Sequence, residues 1–241
     1  MTPGEIEFEF SFAFQPIVDS RSKEIISFEA LVRGPNGQPA ADVFAQVNKE
    51  LFFSFDQACR VKAIQLASSL HIHHQLNLNL FPHALYQTGM NIRATLQAAW
   101  QYNFPQENII FEITETEKLT DNRQLVDLIR MYQEFGFQTA IDDFGSGFAG
   151  LNLLVEYCPN WIKLDRSIIA DVHDDYVKQT VIEGMHFICK KLNIQMMAEG
   201  VEKAEEYEWL RRNGVNIFQG YYFAQPAFEA LPEVDRTLFS V

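Results

Sequence analysis

The strongest constraint in this sequence is a rhythm: short β-rich runs recur with helix-like stretches between them. The runs cover residues 10–18, 24–33, 75–80, 109–113, 138–141, 161–164, 194–197 and 216–218. Strands alternating with helices build parallel βαβ units, because each crossover helix must pack back onto the sheet. Eight such runs point to a closed barrel. One connection departs from the rhythm. Asp19-Ser20-Arg21-Ser22-Lys23 is the whole link between the first two runs. A parallel crossover needs about a dozen residues, whereas a hairpin needs very few. The expected fold is therefore α/β, a modified (β/α)8 barrel of the TIM type with one antiparallel strand at the start.

The stretches between the runs carry helical signals. Leu125, Leu128, Ile129 and Tyr132 form one apolar stripe at helical spacing. Gly136 follows where a left-handed cap is expected. Residues 55–70 carry a similar stripe, and residues 204–212 end before Gly214 in the same way. With 241 residues, 47% of them hydrophobic, the chain has the length and apolar content of one such barrel. A single domain over residues 1–241 is expected.

The net charge is -13 and the sequence pI about 4.8. That balance argues against a DNA or RNA duplex as partner, since its phosphates attract basic surfaces. It leaves room for a phosphate-bearing ligand held through divalent cations, which reverse the local sign. Cys59, Cys158 and Cys189 lie far apart without a CxxC pair and read as core thiols of a reducing compartment. Met1-Thr2-Pro3-Gly4-Glu5 has no basic stretch leading into an apolar run. No apolar run approaches the ~18 residues needed to span a bilayer, so a cytoplasmic protein with no membrane segment is expected. Trp100, Trp161 and Trp209 read as packing residues. His71, His73 and His74 fit no metal-binding spacing and read as a cluster at a helix end.

Barrels of this kind place their sites at the C-terminal ends of the strands. The residues closing the apolar runs are Glu29, Asn79, Glu112, Asp142 with Asp143, Lys163, Glu199 and Gln219. Polar groups inside segments such as Phe111-Glu112-Ile113 are costly to bury without partners. Helix capping would account for any one of them, but poorly for all together. Converging carboxylates repel unless positive charge lies between them, and an all-oxygen set suits Mg2+, Mn2+ or Ca2+. The adjacent pair Asp142 and Asp143 suggests more than one ion, because neighbours can fan out to different metals.

These residues also stand in ordered motifs. Phe14-Gln15-Pro16-Ile17 precedes Glu29-Ala30-Leu31 and Arg33. Then come Asn79, Glu112-Ile113-Thr114-Glu115, Asp142-Asp143-Phe144-Gly145-Ser146-Gly147, Ile162-Lys163-Leu164-Asp165, Ala198-Glu199-Gly200-Val201-Glu202 and Gln219-Gly220-Tyr221. The series spans nearly the whole chain and resembles the EAL domain family, phosphodiesterases specific for the bacterial messenger cyclic di-GMP. The resemblance implies a barrel with one antiparallel strand, in agreement with the short first turn. It also implies roles. Glu29, Asn79, Glu112 and Asp142 match the ligands of one metal, and Asp142, Asp143 and Glu199 those of a second, with Asp142 bridging. Lys163 matches the lysine near the attacking water, and with Glu29, Asp142, Asp143 and Glu199 it would form the catalytic set. Gln15, Arg33 and Gln219 match residues that hold substrate or order the site. Glu115 and Glu202 match supporting acids outside the ligand set, Glu115 anchoring the loop at residues 143–147. The segment Gly34-Pro35-Asn36-Gly37 looks shorter than in many relatives, which removes no ligand.

The implied reaction is hydrolysis of cyclic di-GMP to linear pGpG, by in-line attack of hydroxide on one phosphodiester between two divalent cations. Mg2+ or Mn2+ would serve, with Ca2+ as a non-productive ion, and a homodimer is in keeping with the resemblance. Three other readings stand beside it: a receptor that binds cyclic di-GMP without turnover, a protein-binding regulatory module, and a metal-assisted barrel hydrolase for another phosphodiester. Retention of the full ligand set favours catalysis.

Overall fold

Strand β1 (Ser11–Asp19) reverses through residues 20–23 into β2 (Glu24–Arg33), and the two pair antiparallel along nearly their full length. The short link leaves no other choice. From there β3 (Gln75–Asn79), β4 (Ile109–Thr114), β5 (Gln138–Phe144), β6 (Trp161–Leu164), β7 (Gln195–Ala198) and β8 (Ile217–Phe218) follow in parallel, each beside its predecessor. Strand β8 closes the ring on β1, again antiparallel. The expected barrel with one reversed strand is what the computed structural model contains, over the residues it describes: 6–80, 90–114, 122–147, 150–156 and 158–240. A short strand β9 (Ala227–Phe228) adds to another stretch of β1. Every expected run coincides with a strand, the largest departure being β5, which continues past residue 141 to Phe144.

The helices are α1 (Ala40–Phe44), α2 (Phe52–Ser69), α3 (Met90–Gln101), α4 (Asn122–Glu134), α5 (Gly150–Glu156), α6 (Arg166–Ile169), α7 (Tyr176–Leu192) and α8 (Ala204–Arg212). In α4, Ile129 and Tyr132 are fully buried, as the stripe requires; the side chains of Leu125 and Leu128 lie outside the described residues. Gly136 and Gly214 adopt left-handed backbones, with φ of 85° and 95°. The inner face of α2 is not purely apolar. Arg60, 1% exposed, pairs with Asp56 at 2.7 Å and donates to the Tyr132 hydroxyl at 2.9 Å, tying α2 to α4.

The strands present alternate side chains to the two sides of the barrel wall. Along β4, Ile109, Phe111 and Ile113 join the large core shared with the helices. Ile110 joins a separate small cluster with Ile17, Ala140, Trp161, Met197 and Ile217, the apolar floor of the barrel interior. Two expectations fail at the surface. Cys158 is exposed and not a core thiol. Trp100, in the last turn of α3, is 83% exposed and packs little. Trp100 lies in the last turn of its helix and Cys158 beyond the end of α5, places that apolar periodicity does not register. His71, His73 and His74 are exposed. Among the described residues no helix is long and apolar enough to cross a membrane.

Beyond β8 the chain passes under Val201 at Gly220. A Cβ on Gly220 would lie 2.1 Å from the Val201 carbonyl oxygen and 2.2 Å from its nitrogen. Val201 is fixed in place, since its N–H donates to Gln219 O at 2.9 Å and its carbonyl accepts from Tyr222 N at 2.9 Å. Gly220→Ala should therefore cost about 3 kcal/mol, a fall of roughly 6–12 °C in Tm for a chain of this size. A circular-dichroism melt coincident with wild type would mean that the Val201 backbone gives way.

Candidate metal centre

Above the apolar floor the same interior face turns polar. Two residues beyond Ile110, β4 presents Glu112; two beyond Ala140, β5 presents Asp142; two beyond Trp161, β6 presents Lys163. Glu199 and Gln219 directly follow β7 and β8. Strand β2 brings Ser27 and Glu29, and β3 brings Asn77 and Asn79. Because β1 runs the other way, Gln15 reaches this layer from mid-strand, paired in register with Glu29.

Lys163 is the hub. Its side chain is 0% exposed, and Nζ lies 3.2 Å from Glu29 Oε2, 2.9 Å from Glu112 Oε1, 2.9 Å from Asp142 Oδ1 and 3.1 Å from Glu199 Oε2. One ammonium thus faces four carboxylates. Amides hold the acids in place. Asn79 donates to Glu29 Oε1 at 3.2 Å, and Gln219 donates to Glu29 Oε2 at 2.7 Å and to Gln15 Oε1 at 3.2 Å. Gln15 in turn donates to the Ala224 carbonyl at 3.1 Å.

The titration behaviour follows from this imbalance. Burial pushes the Glu112 carboxyl well above its usual range and Glu29 adds to the push, with Lys163 only partly offsetting them. Burial likewise holds Glu199 well above its usual range, against the pull of Lys163. Asp142 goes the other way: burial would raise it, but the Lys163 ammonium holds it low. Burial, and then the neighbouring Asp142, raise Asp143 to about 6. For Lys163, burial alone would lower the ammonium's pKa, and the four acids outweigh it and hold it well above the usual value. The acids outnumber the cation, and protons or metal ions must make up the difference.

Adjacent residues on a regular strand face opposite ways, so Asp142 and Asp143 need a break in β5. The register with β6 slips between Ile141 and Phe144, and Asp143 adopts a left-handed backbone with φ 52°. Such bulges re-aim side chains beside functional sites. Ligand oxygens of Asp142, Asp143 and Glu199 consequently all lie within 4.8 Å of one another.

The remaining expected residues are placed as follows. Arg33 is half-buried, donates to the Val32 carbonyl at 2.8 Å, and lines a cavity of about 220 Å³ together with Leu31, Phe44, Arg60 and Asn79. Glu202 does not join the acids; it pairs with Arg166 at 2.9 Å, and Arg166 donates to Gly200 O at 2.7 Å beside Glu199. Glu115 lies outside the described residues. Sequence reasoning passed over Ser27 and Asn77, which hydrogen-bond to each other beneath Glu112. The available signal was period-two alternation, which puts Asn77 on the same face as Asn79.

The donor set fits a hard cation. It is made of carboxylate and amide oxygens, and Glu112 Oε2 is buried without a hydrogen-bond partner among the described residues. A standalone EAL protein from Vibrio cholerae O395, solved in a c-di-GMP-bound form, is 47% identical with a TM-score of 0.94, over 98% of this chain and 100% of that one. BlrP1 from Klebsiella pneumoniae, in a manganese and cyclic di-GMP complex, is 33% identical with a TM-score of 0.90, over 97% of this chain and 60% of that one. In Escherichia coli strain K12, the blue light- and temperature-regulated antirepressor BluF is 33% identical, over 92% of this chain and 56% of that protein. The probable cyclic di-GMP phosphodiesterase PdeD of the same strain is 32% identical, over 92% of this chain and 42% of that protein. The chain spans about half the length of these curated relatives. The EAL domain model matches residues 6–226, and this chain belongs to the EAL domain family.

Proposed function

We propose that this protein hydrolyses cyclic di-GMP to linear pGpG with two divalent cations, Mg2+ or Mn2+. One observation carries the reading: a buried ammonium faces four carboxylates, and Glu112 Oε2 among them has no hydrogen-bond partner among the described residues. Buried negative charge in such excess calls for counter-charge. The name of PdeD and the manganese complex of BlrP1 support the same reading.

In this proposal Glu29, Asn79, Glu112 and Asp142 hold one ion, and Asp142, Asp143 and Glu199 the other. When bound, the ions acidify water and neutralise charge developing on the attacking and leaving oxygens. Hydrolysis forms a phosphorus–oxygen bond from water and breaks the bond to one ribose oxygen, which departs with a proton. Lys163 holds the attacking water in position through its N–H groups. Gln219, braced by Gln15 and Glu29, and Arg33 at the cavity rim hold the nucleotide, the guanidinium suiting a phosphate. Glu202 acts through Arg166 on the loop that carries Glu199, and Glu115 steadies the loop at residues 143–147. The proposal takes the 241 residues as one EAL domain, places it in the cytoplasm and allows a homodimer.

The likeness to an antirepressor favours a second reading, a regulatory module without turnover. Incubation with cyclic di-GMP and Mg2+ or Mn2+, followed by chromatography, separates the two. Linear pGpG is the expected product. Nucleotide bound but unchanged would leave a receptor, and nucleotide neither bound nor changed would leave a protein-binding module.

Lys163→Ala should still take up Mn2+ and bind cyclic di-GMP, measured by calorimetry with Ca2+ as the non-productive ion. Its turnover should fall by about 10²-fold or more. Without metal, the variant should be less stable than wild type by about 3–5 kcal/mol, because buried carboxylates lose their counter-ion, and added Mn2+ should restore most of that loss. Near-normal turnover would remove the lysine from the mechanism. Glu29→Ala and Asp142→Ala should instead weaken Mn2+ uptake itself.

A further inference from the structure

Ser27 and Asn77 are 2% and 1% exposed, in a barrel layer where apolar side chains are the rule. Neither has a place in the ligand or substrate sets above. Burying an amide and a hydroxyl there is unfavourable unless both are satisfied. The structure satisfies them in one direction only. The Ser27 hydroxyl donates to Asn77 Oδ1, and Asn77 Nδ2 donates to Glu112 Oε1 at 2.7 Å. A carboxylate that holds a cation is ionised and accepts but does not donate, so in that state Glu112 fixes which end of the amide faces it. The Asn77 carbonyl must then turn to Ser27, which has a proton to give.

Glu112 Oε1 receives Asn77 Nδ2 and lies 2.9 Å from Lys163 Nζ, while Oε2 of the same carboxylate is buried with no hydrogen-bond partner among the described residues. The two oxygens are thereby made unequal. We propose that Ser27 and Asn77 form a positioning relay that locks the Glu112 rotamer, occupying Oε1 so that Oε2 is presented to a divalent cation. This inference rests on the metal-dependent reading of the site and adds two residues that do not touch metal or substrate. Hydrogen-bond partners behind a ligand orient it and raise its affinity for metal.

The test is Mn2+ titration by calorimetry, on wild type and on Asn77→Leu, Ser27→Ala and the double variant, each checked for folding by circular dichroism. Asn77→Leu keeps the side-chain size and removes the donor; it should weaken Mn2+ binding by roughly 10- to 100-fold. Ser27→Ala should weaken it less, because the amide loses only its orienting partner. In the Asn77→Leu background, Ser27→Ala should cost nothing further, since the serine acts only through the asparagine. A merely structural pair would lower the Tm without this pattern in metal affinity. Wild-type protein that takes up no Mn2+ would overturn the metal reading and the relay together. Wild type that binds Mn2+ while Asn77→Leu binds it equally well would overturn the relay alone, as would equal, additive losses from the two substitutions. If Asn77→Leu does not fold, Ser27→Ala decides: unchanged Mn2+ affinity in that variant overturns the relay.

Discussion

The rest of the structure is arranged around one ammonium among four carboxylates. Lys163 lies within 3.2 Å of Glu29, Glu112, Asp142 and Glu199 and has no exposed surface. Each carboxylate gains from the ammonium, about 4 kcal/mol per pair at 4 Å in a typical protein dielectric. Each also repels the other acids at comparable range, and removing an ion from water costs several kcal/mol. With one cation for four anions, attraction does not cover repulsion and desolvation. Raised carboxyls at Glu112 and Glu199 are the consequence. A proton and a metal ion would compete for the same charge deficit, so the geometry that favours protons on Glu112 and Glu199 would also favour a cation.

Two irregularities in the barrel serve that layer. A regular parallel β1 would point its C-terminal end at the site; the reversed strand supplies Gln15 from its middle, opposite Glu29, where it braces Gln219. A regular β5 would put Asp143 on the helix side of the wall. The slip after Ile141 and the left-handed Asp143 backbone turn it toward Asp142 and Glu199 instead. A non-glycine residue in that conformation carries a backbone cost of about 1–3 kcal/mol. Closure of the barrel, with its apolar floor beneath, makes the departure tolerable.

Much of this was legible in the sequence because it rests on period and position. The five-residue link forced the antiparallel pair, and strand-end residues gave Glu29, Asn79, Glu112, Asp142, Lys163, Glu199 and Gln219 before any contact was known. The less legible features depend on torsion or on depth. A bulge at Asp143 is a matter of φ, which an Asp does not announce as a glycine would. Ser27 and Asn77 sit one step below the strand ends, so a reading of strand ends passes over them. Arg60 hides in an apolar stripe because its partners, Asp56 and Tyr132, come from one turn earlier and from a different helix. Arg33 is the reverse case: its motif marks it, while its guanidinium rests on the Val32 carbonyl and pairs with no acid among the described residues.

Lys163 also bears on the choice between catalysis and binding. Carboxylates and an amide suffice to hold two divalent ions and, through them, a phosphate. A buried ammonium at the centre of that set works against the ions by like-charge repulsion. A receptor that had only to bind would be tighter with a neutral side chain in its place. A counter-ion for the metal-free barrel is one use for the lysine, but that use would end if the proposed ions took over the carboxylates. In the proposed reaction the lysine would then be a donor fixed beside the phosphate, with a contribution largest where charge develops and small in the bound ground state. An ammonium that would oppose the proposed ions yet stands among all four acids supports the proposal of turnover over that of binding alone.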